Sequence, residues 1–111
     1  MKKDPVILIN HILVSISLIN KYTNDLTISD FISKEEAQDA VIRRLQIIGE
    51  AVKNLPEDFK EKYKDINWRQ IAGMRDILIH DYFGVDLNLT WNVVKMDLPE
   101  LEIKLKRIIS G

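Results

Sequence analysis

Apolar residues recur with a helical period over the middle of the chain. A capping-box pattern, Ser33 followed by Glu36, precedes this stretch, and Pro56 follows it. The sequence therefore predicts a long amphipathic helix from Ser33 to about Leu55. The apolar positions that define its buried face are Ala37, Ala40, Val41, Leu45, Ile48, Val52 and Leu55.

The first part of the chain predicts a helix from Pro5 to about Lys21. Asp4 suits the N-cap position and Pro5 the first helical position. Its apolar residues lie on nearly all sides, so we expect burial on most sides and, in so short a chain, packing against a second subunit. Many of them are β-branched, which leaves a strand as the alternative. The apolar run of residues 6–19 is interrupted by polar residues, lacks a cleavage pattern and is too short to span a bilayer, so we expect neither a signal peptide nor a membrane helix.

The rest of the chain predicts further helices joined by short connections. Together with the two above they form an all-α, antiparallel bundle of about four to five helices, and residues 1–111 are predicted to be one domain. We expect a connection over Tyr22–Ile28 with a helical turn from Ser29, and a short helix over Glu57–Tyr63. The next helix should run from Trp68 to about Tyr82, capped by Asn67 and ended by Gly84. A last helix is expected over Trp91–Ile109, capped by Asn88 or Thr90 and interrupted by Pro99 near Leu98.

Charge and cysteine content limit the classes of function. The chain has 111 residues, no cysteine and a formal net charge of −1. The lack of cysteine excludes disulfides and thiolate metal sites and is consistent with a cytoplasmic protein. A general electrostatic affinity for nucleic acid would give a positive net charge, so an RNA site on this chain must be a local basic patch.

One segment, residues 73–84, concentrates side chains suited to catalysis. On a helix Arg75 and Tyr82 share a face, and Asp76 lies one turn before His80, where its carboxylate can orient the imidazole. Histidine exchanges protons near neutral pH, and arginine matches the oxygens of a phosphate. The set suits cleavage of RNA through its 2′-hydroxyl without a metal. Taken alone the pattern is weak, because a lone histidine is more often structural and an Arg–Asp neighbour pair is more often a surface salt bridge.

Several motifs in one order give the segment a family resemblance. Arg75-x4-His80-x-Tyr82 has the form of the RX4HXY motif of HepT-like toxins, a branch of the HEPN superfamily. Residues 41–51, VIRRLQIIGEA, and residues 68–75, WRQIAGMR, resemble the family's flanking helices. Residues 82–86, Trp91 and the Leu98-Pro99-Glu100-Leu101 stretch continue the pattern. The resemblance runs from about Phe31 to Leu105.

This resemblance implies a dimeric HEPN bundle in which two motif helices form one composite cleft. It implies a metal-independent endoribonuclease without a cofactor, acting as the toxin of a HepT/MntA-type toxin–antitoxin module. Arg75 and His80 are then catalytic, with Asp76 and Tyr82 in support. The implied antitoxin is a minimal nucleotidyltransferase that transfers AMP to Tyr82, which would repel RNA and block the cleft.

Other residues are candidates for supporting roles. Glu50 is a candidate partner for Arg75, or else a solvated helix charge, and no role is predicted for His11 beyond the edge of the core or an interface. Trp68 and Trp91 are more readily explained by core packing than by base stacking. The possible RNA-path residues are Arg43, Arg44, Lys53 and Arg69, each of which is individually more typical of a solvated face.

Two further classes of function remain open. The chain is alternatively a non-catalytic module that docks a nucleotidyltransferase or presents substrate to it, which the near-neutral charge favours slightly. A plain structural bundle is the third reading, and the clustering of arginine, histidine and tyrosine in one segment argues against it. Loss of toxicity on Arg75→Ala would fit the ribonuclease alone.

Overall fold

The computed structural model describes residues 4–80 and 84–111, with His80 described by its backbone. The chain is an all-α bundle with one short antiparallel ladder. The elements in chain order are α1 (Pro5–Thr23), α2 (Ile28–Ser33), α3 (Glu35–Lys53), α4 (Glu57–Lys62), α5 (Trp68–Ala72), α6 (Met74–Leu78), β1 (Ile79–His80), β2 (Gly84–Val85), α7 (Leu87–Asn92), a π-helical segment (Val93–Asp97) and α8 (Leu98–Ser110).

The two longest helices, α1 and α3, form the centre of the bundle and are called here the scaffold pair. Asp4 caps α1 as predicted, because its Oδ1 accepts a hydrogen bond of 2.9 Å from the amide of Val6. Both helices bury one face at three- and four-residue spacing, and α8 also packs on α1. The buried residues of the two faces include Ile9, Ile12, Ile16 and Ile19 on α1 and Val41, Leu45, Ile48 and Val52 on α3.

The opposite side of α1 remains exposed in the single chain. Val6, Ile7 and Val14 are 52%, 54% and 56% exposed, so the predicted burial on most sides is not met by this chain alone. The helix α1 has 19 residues. It is therefore longer than the apolar run of residues 6–19, which by itself is too short to span a bilayer. By length and composition alone, α1 meets the criteria for a membrane-spanning helix. The core helix of a soluble protein meets the same criteria, and seven α1 residues are buried.

The capping box lies six residues before the predicted one. The Thr27 hydroxyl accepts a hydrogen bond from the Asp30 amide, and the Asp30 carboxylate accepts one from the Thr27 amide. The Ser33 hydroxyl instead donates to the Asp30 carbonyl, and Lys34 occupies the N-cap of α3 without a side-chain bond. The prediction for Ser33 was wrong because Ser33 is the last residue of α2, where its hydroxyl meets carbonyls rather than the first amides of α3.

The end of the chain is interrupted near the predicted point. Pro99 lies in the first turn of α8, and the preceding residues, Val93–Asp97, form a π-helical segment. Proline has no amide to donate to the carbonyl four residues earlier, which favours a change of helical pattern here. The predicted caps of this region were wrong, because Asp86 caps α7 through a 3.0 Å bond from the Leu89 amide.

Candidate active site

The motif segment, residues 68–80, consists of short pieces rather than the predicted single helix. Asn67 caps α5 as predicted, through a 3.1 Å bond from the Gln70 amide to its side-chain oxygen. Gly73 separates α5 from α6, with φ −93° and ψ 4°. The amide of Gly73 still bonds the Arg69 carbonyl, and the amide of Ile77 bonds the Gly73 carbonyl, so hydrogen bonds with the spacing of an α-helix are present on both sides of Gly73.

The helix ends at Leu78, before the motif histidine. Ile79 is extended, with φ −104° and ψ 118°, and it pairs with Val85, while His80 pairs with Gly84. The prediction that Asp76 and His80 lie one turn apart on one helix is therefore wrong. The ladder takes the backbone groups that a continued helix would need, and Gly84, with φ +79°, lies in β2 rather than ending a helix. Tyr82, with its predicted helical alignment to Arg75, lies outside the described residues.

Arg75 presents its guanidinium to solvent at the start of α6. Its side chain is 49% exposed, and its Nη1 lies 3.7 Å from Oδ1 of Asp76, whose side chain is 79% exposed. This distance is an ionic contact longer than a hydrogen bond, and exposed pairs of this kind contribute little to stability. The guanidinium therefore retains donors for a phosphate. Glu50 is exposed on α3, and it forms no ion pair within the described part of the chain.

A close contact between α3 and α5 fixes the position of the motif segment. A Cβ on Gly49 would lie 3.2 Å from the carbonyl oxygen of Ala72 and 3.5 Å from that of Ile71. Only glycine lets the two backbones approach this closely without a shift. The scaffold pair thus holds the end of α5, and Arg75 follows three residues later.

The two sides of the motif segment differ in chemistry. One side faces an apolar cavity of about 360 Å³, to which Ile71, Met74 and Ile77 contribute. The other side contributes Arg69 and Ala72 to an open groove of about 690 Å³ between α3, α4 and α5. We call this second feature the cationic groove; its basic residues are Lys53, Lys60, Lys64 and Arg69.

The remaining candidates divide between the core and the surface. Trp68 is buried and its Nε1 donates to the Tyr63 carbonyl at 3.1 Å, and the Trp91 ring packs 5.3 Å from the Phe31 ring. Core packing is thereby confirmed for Trp68, whereas Trp91 is half-buried and packs against the edge of the core. His11 is exposed on α1. Among the basic candidates, Lys53 and Arg69 meet at the cationic groove, whereas Arg43 and Arg44 do not line it.

Within the described part of the chain, no group of three or more histidine, aspartate or glutamate side chains is close enough to hold a metal ion. The side chains that this segment offers for chemistry are therefore a guanidinium and its neighbouring carboxylate, with the motif histidine five residues further on.

The same segment lies inside a family match that covers most of the chain. The model of the family described as "Ribonuclease HepT-like" matches residues 12–108, from α1 into α8. The chain belongs to this family. The resemblance noted from the sequence is thus confirmed, and the match includes Arg75 and His80. It names the family without assigning a role to either residue.

Named relatives agree with this HepT-like assignment. A Methanocaldococcus jannaschii protein named "Gamma-glutamylcyclotransferase and putative RNase" is 58% identical over 99% of this chain, which spans only half of that protein. A Thermococcus cleftensis protein named "Probable ribonuclease HepT" is 44% identical over 97% of this chain and 98% of its own. A "Putative RNase" of Caldanaerobacter subterraneus is 41% identical over 97% of this chain and 96% of its own. No solved structure matches the chain.

Proposed function

We propose that this HepT-like chain is an endoribonuclease in which Arg75 and His80 carry the reaction. The 2′-hydroxyl of RNA attacks the adjacent phosphorus, and the bond to the 5′-oxygen breaks. His80 accepts the proton of the 2′-hydroxyl or donates one to the leaving oxygen, and Arg75 neutralises the charge that develops on the phosphate. The products are a 2′,3′-cyclic phosphate and a 5′-hydroxyl, and the step requires no metal.

The main support for this proposal is the exposure and weak pairing of the Arg75 guanidinium. It is half-exposed, and within the described chain its one ion pair is the 3.7 Å contact with the exposed carboxylate of Asp76. A structural arginine would be expected to form short, bidentate hydrogen bonds. The weak pair with Asp76 leaves the hydrogen-bond donors of Arg75 free, so a phosphate can displace or share the contact.

The proposal includes a homodimer with one composite cleft. The exposed apolar residues of α1, Val6, Ile7 and Val14, support a subunit contact, because a monomer gains nothing from presenting them to water. Two-fold symmetry would place the same patch on both subunits. Light scattering of the purified protein tests this point, and a Val14→Asp substitution that leaves a dimer unchanged would place the contact elsewhere.

We further propose that the chain acts in the cytoplasm as the toxin of a toxin–antitoxin module. A minimal nucleotidyltransferase would neutralise it by adding AMP to Tyr82, two residues beyond His80. Phosphate added within the RX4HXY motif would repel RNA. Intact mass after co-expression with such an enzyme tests this, since each AMP adds about 329 Da as a covalent modification, and Tyr82→Phe should prevent the addition.

Cleavage of a single-stranded RNA by the purified protein in EDTA tests the central claim. We expect wild type to cut, and His80→Ala and Arg75→Ala each to lose roughly 10²-fold or more in kcat while remaining folded, because each removes a group that acts in the transition state. The control is Arg43→Ala, which removes an exposed arginine outside the motif segment.

Two outcomes would contradict the proposal. A folded, dimeric wild type that cuts no RNA with or without added divalent metal would refute it. Retained cleavage by His80→Ala would remove the proposed acid/base group. In either case the non-catalytic docking module becomes the better account, since it needs the motif only for assembly or modification.

A further inference from the structure

We propose that the cationic groove binds the RNA strand next to the scissile phosphate, through backbone contacts from Lys53, Lys64 and Arg69. This inference rests on the proposed ribonuclease function and extends it to a substrate-binding site outside the RX4HXY motif. The groove lies between the end of α3, α4 and α5, and these three residues come from separate parts of the chain.

Three cations of the groove are available to bind an anion. Lys53, Lys64 and Arg69 are exposed, and none forms an ion pair with a carboxylate in the described part of the chain. The fourth basic residue, Lys60, is different, because its amine lies 3.2 Å from Glu57 and its side chain is only 18% exposed. Three cations without partners around one groove are notable on a chain with a net charge of −1. A local patch of this kind is what an RNA site on such a chain requires.

The groove is already formed in the free protein. The Phe59 ring of α4 packs on the rings of Tyr63 and Trp68, at centroid distances of 5.0 and 6.2 Å. The Trp68 indole also bonds the Tyr63 carbonyl, which joins α4 to α5, and the Gly49–Ala72 contact joins α5 to α3. All three walls are thus held together in the absence of ligand, so binding need not order them first.

The groove also adjoins the proposed catalytic arginine along the chain. Arg69 and Ala72 line the groove, while Gln70, Met74 and Ile77 line the apolar cavity beside the same segment. Arg75 follows Ala72 by three residues, across the break at Gly73. Three residues span at most about 11 Å of chain, so the Ala72 end of the groove lies close to the backbone of Arg75.

The chemistry of the groove points to the phosphate backbone rather than to bases. Lysine and arginine bind phosphate oxygens without reading sequence. The aromatic residue in its wall, Trp68, is buried and offers no exposed ring for stacking. The groove should therefore contribute affinity and position to any RNA sequence. Three carboxylates also line the groove: Glu57 is paired with Lys60, whereas those of Glu61 and Asp65 should weaken that affinity.

The experiment separates RNA binding from RNA cleavage. Binding of a fluorescent, mixed-sequence single-stranded RNA is measured by anisotropy over a range of NaCl in the His80→Ala background, with Lys53→Ala, Lys64→Ala or Arg69→Ala added. Cleavage is measured with the same three substitutions in otherwise wild-type protein. Arg43→Ala is the matched control, since it removes an exposed cation from the same helix as Lys53, and Glu61→Gln is the control of opposite sign.

We expect each of the three substitutions to weaken binding several-fold and to lower the slope of log K against log[NaCl] by roughly 0.7, as for one phosphate contact on a single strand. KM for cleavage should rise with little change in kcat, because these contacts act equally on the ground and transition states. Arg43→Ala should change none of these values, and Glu61→Gln should tighten binding.

An unchanged salt slope in all three variants, with RNA still bound, would overturn the groove proposal and leave the catalytic one intact. A loss of kcat alone would also overturn it, because the residues would then act at the reacting phosphate. Conversely, salt-dependent binding through the groove by a protein that cuts no RNA would refute the catalytic proposal and support RNA binding by this surface. Thermal melting confirms that every variant is folded.

Discussion

The scaffold pair and the motif segment differ in the length of their helices and in how much of their surface is buried. In α1 and α3, 19 residues each, a continuous apolar face is buried at helical spacing, so packing determines the structure. In residues 68–80, two helices of five residues each are followed by a two-residue strand, and much of the polar chemistry is exposed. The candidate catalytic residues of the bundle thus lie on its least regular part. The helix α3 supplies the rigidity that this part lacks.

The same substitution in the two regions should give the largest contrast. Ile48 on α3 is fully buried, so Ile48→Ala should lower the free energy of unfolding by about 2–5 kcal/mol through lost burial and the cavity left behind. Ile77 on α6 is 47% exposed, and Ile77→Ala should cost about 0.5 kcal/mol or less. Urea unfolding at equal protein concentration measures both. Comparable losses would show that the motif segment is as tightly packed as the scaffold pair.

The contact between α3 and α5 at Gly49 should be the next most sensitive to substitution. Gly49→Val places a branched side chain against the Ala72 carbonyl, where even a Cβ would come within 3.2 Å, and should cost about 1–3 kcal/mol. Because it displaces α5, it should also lower RNA cleavage.

Gly73→Ala is the matched control for Gly49→Val. A Cβ there would meet only the Arg69 carbonyl, at an ordinary 3.5 Å, so the free energy of unfolding should change by about 0.5 kcal/mol or less. If Gly49→Val were as harmless as Gly73→Ala, the scaffold pair would not be what positions the motif segment.

The same contrast explains how far the sequence could predict the fold. The two long helices were predicted nearly in full, because fifteen or more residues of periodic burial outweigh local ambiguities. The caps at Asp4 and Asn67 were also predicted, since each directly precedes a helix with a clear start. The two capping-box patterns, at Thr27 and Ser33, look alike in sequence. Which of the two patterns caps a helix depends on where the backbone departs from helical geometry, and tertiary packing determines that point.

The motif segment could be predicted by its residues but not by its geometry. The pattern of arginine, histidine and tyrosine identified the family, yet helical spacing placed His80 one turn from Asp76, where the chain is in fact extended. The ladder between β1 and β2 pairs two strands that are separated by three residues of the chain, and no periodicity reveals such pairing. The cationic groove was found only in part, because Lys53 and Arg69 were candidates whereas Lys64 was not. Lys64 lies in a loop, where no sequence periodicity marks it, and only the fold brings it close to Lys53 and Arg69.

The smallest expected effect concerns acid stability at the edge of the scaffold pair. The backbone hydrogen bond from the Thr27 amide, together with the Thr27 hydroxyl, holds the pKa of the Asp30 carboxyl below its ordinary value. A lowered pKa in the folded state means that the ionised carboxylate stabilises α2 above the ordinary pKa, and that this stabilisation disappears as the pH falls through the lowered value. Wild type should therefore lose more melting temperature than Asp30→Asn between about pH 5 and about pH 2. The asparagine oxygen can still accept the Thr27 amide but carries no charge to lose. If the melting temperatures of the two proteins fell equally, the capping box at α2 would contribute nothing through its charge, and α2 would depend on its packing against α3 and α7.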